Sequence, residues 1–532
     1  MSAPNILLII TDQHRADHLG AYGNRTVRTP HIDRLAARGW AADRFYVSTP
    51  ICMPNRSTLM TGRTPSVHGV RHNGIPLSLD VTTFPEVLRA HGYRTALHGK
   101  SHLQNMTGIP PTFPGPDAQA SPASPPFELR EARHRIHDED RYEQENSKLW
   151  LDPKHHMQLP FYGFEDVSLC TNHGDQVDAE YGRWLRANLP DAEQLRGAKG
   201  AAPAPDFIAP QAWRTRIPEE FYPTTYVADQ TIGWLERHAS AAGDRPFFVQ
   251  CSFPDPHHPF TPPGHYWSMY DPADIELPPS FSSDAPPPPH VAFLRGERDN
   301  GTADTGTQAV YAVNERQTRE STALTYGMIT MIDDAIGRVL ASLDQLGLAE
   351  NTIVIFTSDH GDFMGDHQLM LKGAIHYQGL VRVPFIWFDP HDPAGGRRSS
   401  DLLGTIDIAS TVLDRAGLGG FNGMQGRSML PAIANADPQP RARFLIEEES
   451  SRLQMGFAER IRLRTVVTDR YRLSTYAGVP WGELYDLRED PDEDINRWND
   501  PAYGGVQMEL LFDLAQAALD VSETSPHPTY RA

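Results

Sequence analysis

Short, nearly unbroken apolar runs alternate along the chain with segments whose apolar residues recur every three or four positions. Residues 5–10 read NILLII and predict a first buried strand. Residues 35–39 read as a helix end with a glycine stop, and residues 84–92 as another. Short strands are predicted over 95–97, 246–253 and 352–357. Between the last two lies a helix over roughly 322–345, with Leu324, Met328, Met331, Ile332, Ile336 and Val339 mostly at helical steps. Strands that are apolar throughout, separated by helices, predict a mostly parallel sheet covered on both faces.

The pattern weakens in places. Residues 104–160 and 190–222 are rich in Pro, Ala, Gly and charge. The proline run at 286–289 and the polar stretch 296–308 read as long surface loops. A Pro- and Asp-rich shift near residue 436 marks a boundary. The expected division is a catalytic α/β domain over 1–436 and a subdomain over 437–532. Residues 461–467 and 471–473 of the latter alternate as in a small antiparallel sheet, and a helix follows near 506–521.

Composition then narrows the function. Apolar residues make up 39% of the 532, enough for a large core. The net charge of −20 argues against nucleic acid or an anionic membrane as partner, since both select clustered Lys and Arg. No apolar run is long enough to span a bilayer. Three cysteines, Cys52, Cys170 and Cys251, do not make a disulfide framework. The first residues lack a basic, cleavable leader, so the expected location is cytoplasmic.

In an open α/β sheet, ligands bind beyond the carboxyl ends of the strands. Four predicted strand ends carry similar cargo. They are Asp12-Gln13, then Lys100-Ser101-His102, then Asp255-Pro256-His257-His258, and Ser358-Asp359-His360-Gly361. Asp12 and Asp359 are hard oxygen donors, and Gln13 and His360 could complete a divalent cation's shell. Lys100, His102, His257 and Lys372 add cationic or proton-donating groups. A cation flanked by such groups fits a compact anion such as sulfate or phosphate.

A fifth segment, Cys52-Met53-Pro54-Asn55-Arg56, opens a predicted helix that runs to about Met60, with Gly62 beyond it. Cys52 is expected just before the helix N-terminus, where backbone N–H groups favour an anion, and Arg56 lies on the first turn. This Cys-x-Pro-x-Arg run, with Ser57-Thr58-Leu59-Met60-Thr61-Gly62 after it, resembles the signature of the sulfatase family. The four strand ends, Lys372, Arg382-Val383-Pro384 and the later Leu484-Tyr485-Asp486-Leu487 extend that resemblance over most of the chain.

The resemblance implies an alkaline-phosphatase-like fold, with a large mixed, mostly parallel sheet flanked by helices and a small C-terminal α+β subdomain. It implies that Cys52 is oxidised by a formylglycine-generating or equivalent maturation enzyme to formylglycine. The hydrate of that aldehyde attacks a sulfate monoester, and the second hydroxyl expels the anion. By position, Asp12, Gln13, Asp359, His360 and residue 52 hold one divalent metal, calcium or manganese. Arg56 braces the nucleophile, Lys100 and Lys372 bind the anion, His102 assists elimination and His257 protonates the leaving oxygen. Gln13 and His360 stand where many sulfatases have an acid and an asparagine. They resemble choline-sulfatase-like enzymes and phosphonate monoester hydrolases of the same superfamily, so hydrolysis of phosphonate monoesters or phosphodiesters is the alternative activity. A small-molecule sulfate ester as substrate and a homo-oligomer, dimer or tetramer, complete the expectations. The acidic run Glu447-Glu448-Glu449 reads as a solvated or inter-subunit edge.

Overall fold

The computed structural model describes residues 3–109, 125, 126, 129, 139–241, 245–392, 395–437 and 439–530. The weakly patterned stretch 104–160 thus lies partly outside the described residues. Nine strands among the described residues form the main sheet. They are β1 (Asn5–Thr11), β2 (Trp40–Ala42), β3 (Arg94–Lys100), β4 (Asp166–Thr171), β5 (Asp178–Ala179), β6 (Phe247–Ser252), β7 (Thr352–Ser358), β8 (Phe385–Phe388) and β9 (Arg397–Ser399). Their order across the sheet is β9-β2-β8-β7-β1-β6-β3-β4-β5. The central strands β7, β1, β6, β3 and β4 run parallel. β8 runs antiparallel to β7 and β2, and β5 antiparallel to β4. This is the mixed, mostly parallel sheet that the apolar runs predict.

Alternate residues of β1 feed two cores, as the two-residue period of a strand requires. Ile6, Leu8 and Ile10 join one core, which also takes Met53, Leu59 and Met60 of one helix and Ile408, Val412 and Leu413 of another. Leu7 and Ile9 join the opposite core, with Leu35, Val227, Leu235, Ile332, Ile336 and Val339. Each fully buried Leu or Ile contributes on the order of 1.5–3 kcal/mol. Both faces of the sheet are therefore pinned, and its carboxyl edge becomes a rigid rim.

The helices used below are α1 (Pro30–Arg38), α2 (Cys52–Thr61), α3 (Pro223–Ser240), α4 (Pro289–Asp299), α5 (Glu315–Gln345), α6 (Asp407–Arg415) and α7 (Gly504–Asp520). Helix α5 begins well before residue 322, because Asn314 and Gln317 cap each other's backbone N–H groups at Glu315. Helix α4 occupies residues that the proline run assigned to a loop. Pro289 is its first residue, where a missing N–H costs nothing, and His290, Val291 and Leu294 are buried beneath it.

The C-terminal sheet is antiparallel in chain order: β10 (Arg443–Glu449), β11 (Arg462–Thr468), β12 (Tyr471–Tyr476) and β13 (Gly482–Asp486). Helix α7 covers it through Leu510, which packs on Val466, Leu473 and Leu484. Glu447 and Glu448 are buried in β10 and are not a solvated edge. Glu447 pairs with Arg464 and accepts from the Ser66 N–H, while Glu448 meets His376 at 3.1 Å. Each carboxylate in this run thus replaces its water with a paired partner. Among the described residues no helix is long and apolar enough to cross a membrane.

Candidate active site

The predicted site residues converge on the carboxyl rim of the sheet. β1 ends at Thr11, so Asp12 leaves the rim first, and its N–H donates to the Asp255 carbonyl at 3.1 Å. β7 ends at Ser358 beside it, and Asp359 N–H donates to Thr11 O at 3.1 Å. The Gln13 N–H then donates to Asp359 Oδ1 at 3.1 Å. β3 delivers Lys100 from its last position. The preceding Gly99 is required there: a Cβ would stand 1.8 Å from the Ser252 carbonyl, and its φ is +108°.

Helix α2 starts at Cys52 itself, one residue earlier than the sequence pattern placed it, and all ten of its residues are buried. Gly62 closes it in the left-handed conformation. Asn55 anchors the first turn, donating to the Asp359 carbonyl at 2.6 Å. Its amide oxygen accepts from the Ser48 N–H and the Thr405 hydroxyl. The Arg56 guanidinium, 2% exposed, donates to Asp359 at 2.7 Å and to Asp12 at 3.4 Å. Its remaining donors go to the Lys100 carbonyl and the Ser252 hydroxyl, both at 2.9 Å.

Cys52 Sγ lies 3.1 Å from His360 Nε2, 3.0 Å from Lys372 Nζ and 3.9 Å from Asp12 Oδ1. Burial acts to raise the thiol, but Lys372, Lys100 and His360 outweigh it and bring it down to about 7. Donor atoms of Asp12, Cys52, Asp359 and His360 all lie within 4.8 Å of one another. His360 Nδ1 faces the Gly361 carbonyl at 2.8 Å, and a carbonyl only accepts. Nδ1 therefore donates there, and Nε2 is the nitrogen aimed into the cluster, as a metal ligand needs. Two carboxylates, an imidazole nitrogen and the neighbouring Gln13 amide make a donor set that fits a divalent cation.

Lys372 Nζ also meets His257 Nε2 at 2.9 Å, His360 Nε2 at 3.0 Å and Gln13 Oε1 at 3.2 Å. Lys100 pairs with Asp12 and donates to His173 Nε2 at 2.7 Å. His257 Nδ1 donates to the His258 carbonyl, so its Nε2 accepts from Lys372. Burial holds His102, His173, His257 and His258 well below the ordinary imidazole range, and the nearby ammoniums add to it. These rings are neutral. The loop that carries His102 folds around Glu145, which accepts from the N–H groups of His102 and Leu103 at 2.8 Å and of Gln104 at 3.1 Å. Among the described residues, no hydrogen bond reaches His102 Nδ1.

All ten residues picked from the sequence lie in this cluster or against it. Its members that were not picked include Ser252 and His173. Ser252 is the last residue of β6 and braces Arg56. His173 follows β4 in Asn172-His173-Gly174, and its donor atom groups with those of Asp12 and His257 within 4.8 Å. The strand-end rule would have found His173 had the run DVSLCT been read as a strand. Its serine, threonine and aspartate hid it.

The family model described as Sulfatase matches residues 4–418, most of the chain. A second, for the C-terminal part of N-sulphoglucosamine sulphohydrolase, matches residues 365–520. An arylsulfatase of Clostridium perfringens is 28% identical over 511 residues, covering 94% of this chain and 91% of the relative. A multifunctional alkaline phosphatase superfamily protein of Trinickia caryophylli is 28% identical over 545 residues, covering 98% and 95%. The solved phosphonate monoester hydrolase of Agrobacterium radiobacter superposes with a TM-score of 0.75 at 25% identity, covering 98% of this chain and 97% of that one. The alkaline-phosphatase-like fold expected from the motifs is the fold of this chain.

Proposed function

The chain belongs to the sulfatase family, and we propose that it hydrolyses sulfate monoesters of the aryl type at the cluster around Cys52. It is a sulfuric ester hydrolase of the alkaline phosphatase superfamily. The observation that carries the site assignment is the position of Cys52 Sγ, with His360 at 3.1 Å, Lys372 at 3.0 Å and two carboxylates braced by Arg56. Sulfatases generally use formylglycine and a divalent metal. Formylglycine at position 52, made by a maturation enzyme, would supply a hydrated aldehyde with one hydroxyl to attack sulfur and a second whose deprotonation expels sulfate. A divalent ion held by Asp12, Gln13, Asp359, His360 and residue 52 would supply Lewis-acid polarisation and lower the pKa of the attacking hydroxyl. Manganese suits this set better than calcium, because an imidazole replaces an oxygen donor.

The other residues act directly. Arg56 locks both carboxylates and the helix that presents position 52, so little reorganisation remains when substrate binds. Lys100 and Lys372 are the buried ammoniums facing the site, and they take the oxygens of the sulfuryl group. Lys372 donates to His257 Nε2 across 2.9 Å, and His257 relays that proton to the leaving oxygen, which departs as the alcohol or phenol, water then reprotonating Lys372. His102 is neutral and its Nδ1 has no hydrogen bond among the described residues, so it is free to take the proton whose loss expels sulfate.

A second reading keeps the site and changes the ester. The likeness to the Agrobacterium radiobacter enzyme supports phosphonate monoester or phosphodiester hydrolysis, and Gln13 and His360 in the metal set resemble that group. The deciding experiment compares kcat/KM for 4-nitrophenyl sulfate, phenyl phosphonate monoester and a phosphodiester, on metal-stripped enzyme reloaded with manganese or calcium. Sulfate is expected to lead, with manganese restoring more activity than calcium. A phosphonate preference of tenfold or more would replace the first reading by the second. Full activity after thorough metal removal would remove the metal assignment.

A further inference from the structure

Position 52 is a thiol before it is anything else, and the folded chain already surrounds that thiol with metal donors. Cys52 Sγ, one oxygen each of Asp12 and Asp359, and His360 Nε2 lie within 4.8 Å of one another and are all buried. Each of the other three is held in place. His360 is oriented by the Gly361 carbonyl, Asp359 by the Gln13 N–H and Arg56, and Asp12 by Lys100 and Arg56. One sulfur, one nitrogen and two carboxylate oxygens make a four-donor set of the kind zinc takes in tetrahedral sites. Calcium by contrast wants six to eight oxygens.

Charge points the same way. A hydrated aldehyde at position 52 is neutral, whereas a thiolate adds one negative charge beside the two carboxylates. The cysteine form therefore attracts a divalent ion more strongly than the converted form does, and it prefers a softer one. Lys372 now donates to Sγ at 3.0 Å, but Gln13 Oε1 at 3.2 Å and His257 Nε2 at 2.9 Å keep its ammonium satisfied if a metal takes that place.

We propose that the folded, unconverted chain is a soft-metal site, binding zinc through Cys52 Sγ, Asp12, Asp359 and His360. The inference rests on the metal cluster described above but not on the esterase reaction itself.

The test uses full-length protein made in a cell-free system without maturation enzyme, with the unmodified Cys52 peptide verified by mass, titrated with cobalt(II) as a zinc probe. One equivalent is expected to bind with a thiolate-to-cobalt charge-transfer band in the near ultraviolet, and one equivalent of zinc is expected to bleach it. Cys52→Ser should lose the band and bind zinc more weakly by about tenfold or more. Cys170→Ser and Cys251→Ser, at cysteines buried in core strands, should keep it. Thermal melts report folding, and the band of the unsubstituted chain decides alone if the serine variant does not fold. Cobalt bound without the band, or equal zinc affinity in Cys52→Ser, overturns the proposal. If the cysteine form binds nothing while the converted form binds manganese, the proposal falls and the hydrolase reading stands. If neither form binds a divalent ion, both fall.

Discussion

The imidazole of His173 lies parallel to that of His257, with 3.5 Å between ring centroids and 9° between planes. Lys100 holds the first ring and Lys372 the second, each through Nε2. Two neutral rings stacked between two ammoniums fix the plane of the proposed acid without competing for its proton. His173 is thus a positioning residue for His257. His173→Ala is expected to lower kcat by about 10–100-fold with a smaller change in KM. The loss should be greater for alkyl than for 4-nitrophenyl sulfate, because only the poorer leaving group needs the proton. His173→Phe, which keeps the stack, should recover part of it. An equal loss on every leaving group, with a lowered melting temperature, would mark His173 as merely structural.

Much of this site was legible because its residues follow strands whose apolar runs are unmistakable. Asp12, Asp359 and His257 each follow within a few positions of such a run. What stayed hidden depends on distant parts of the chain. Glu145 lies in an unpatterned stretch, and its role comes from N–H groups some forty residues earlier in sequence. Ser252 looked like ordinary strand, and β4 was obscured by polar residues that its partners bury. The two misread segments share a cause. Pro289 signals a turn in isolation but starts a helix when apolar residues follow it, and Glu447 and Glu448 look solvated until Arg464 and His376 are placed beside them.

Removing the nucleophile should cost activity and not structure. Cys52 fills a buried position at the start of α2, and alanine is smaller and favours helix. Cys52→Ala is expected to lower kcat/KM by about 10³-fold or more, with a melting temperature close to that of the parent. Substantial residual turnover would defeat the assignment of position 52.

Arg56 compensates two carboxylates that water cannot reach, since Asp12 and Asp359 are both fully buried. Deleting one partner of such a network strands the others. Arg56→Ala in the presence of chelator is expected to lose about 3–5 kcal/mol of stability in urea denaturation. Saturating manganese should recover a large part, because the ion supplies positive charge to the same oxygens. An equal loss with and without metal would separate Arg56 from the metal cluster.

The last prediction concerns pH. Burial pushes the Glu145 carboxyl up to about 7, although hydrogen bonds from the N–H groups of Leu103, Gln104 and His102 act to lower it. A raised folded pKa means that the native state holds this proton more tightly than the unfolded chain does. Its contribution to stability is therefore complete below the ordinary glutamate value and is lost as pH rises through about 7. The shift corresponds to roughly 3 kcal/mol at most. Glu145→Gln has no proton to lose, and its amide oxygen can still accept from the loop. The stability difference between parent and variant, from urea midpoints at about pH 5 and about pH 8, should shift in favour of the variant at the higher pH. A difference that stays constant across that range would mean that the carboxyl is ionised throughout, and that the three backbone donors outweigh its burial.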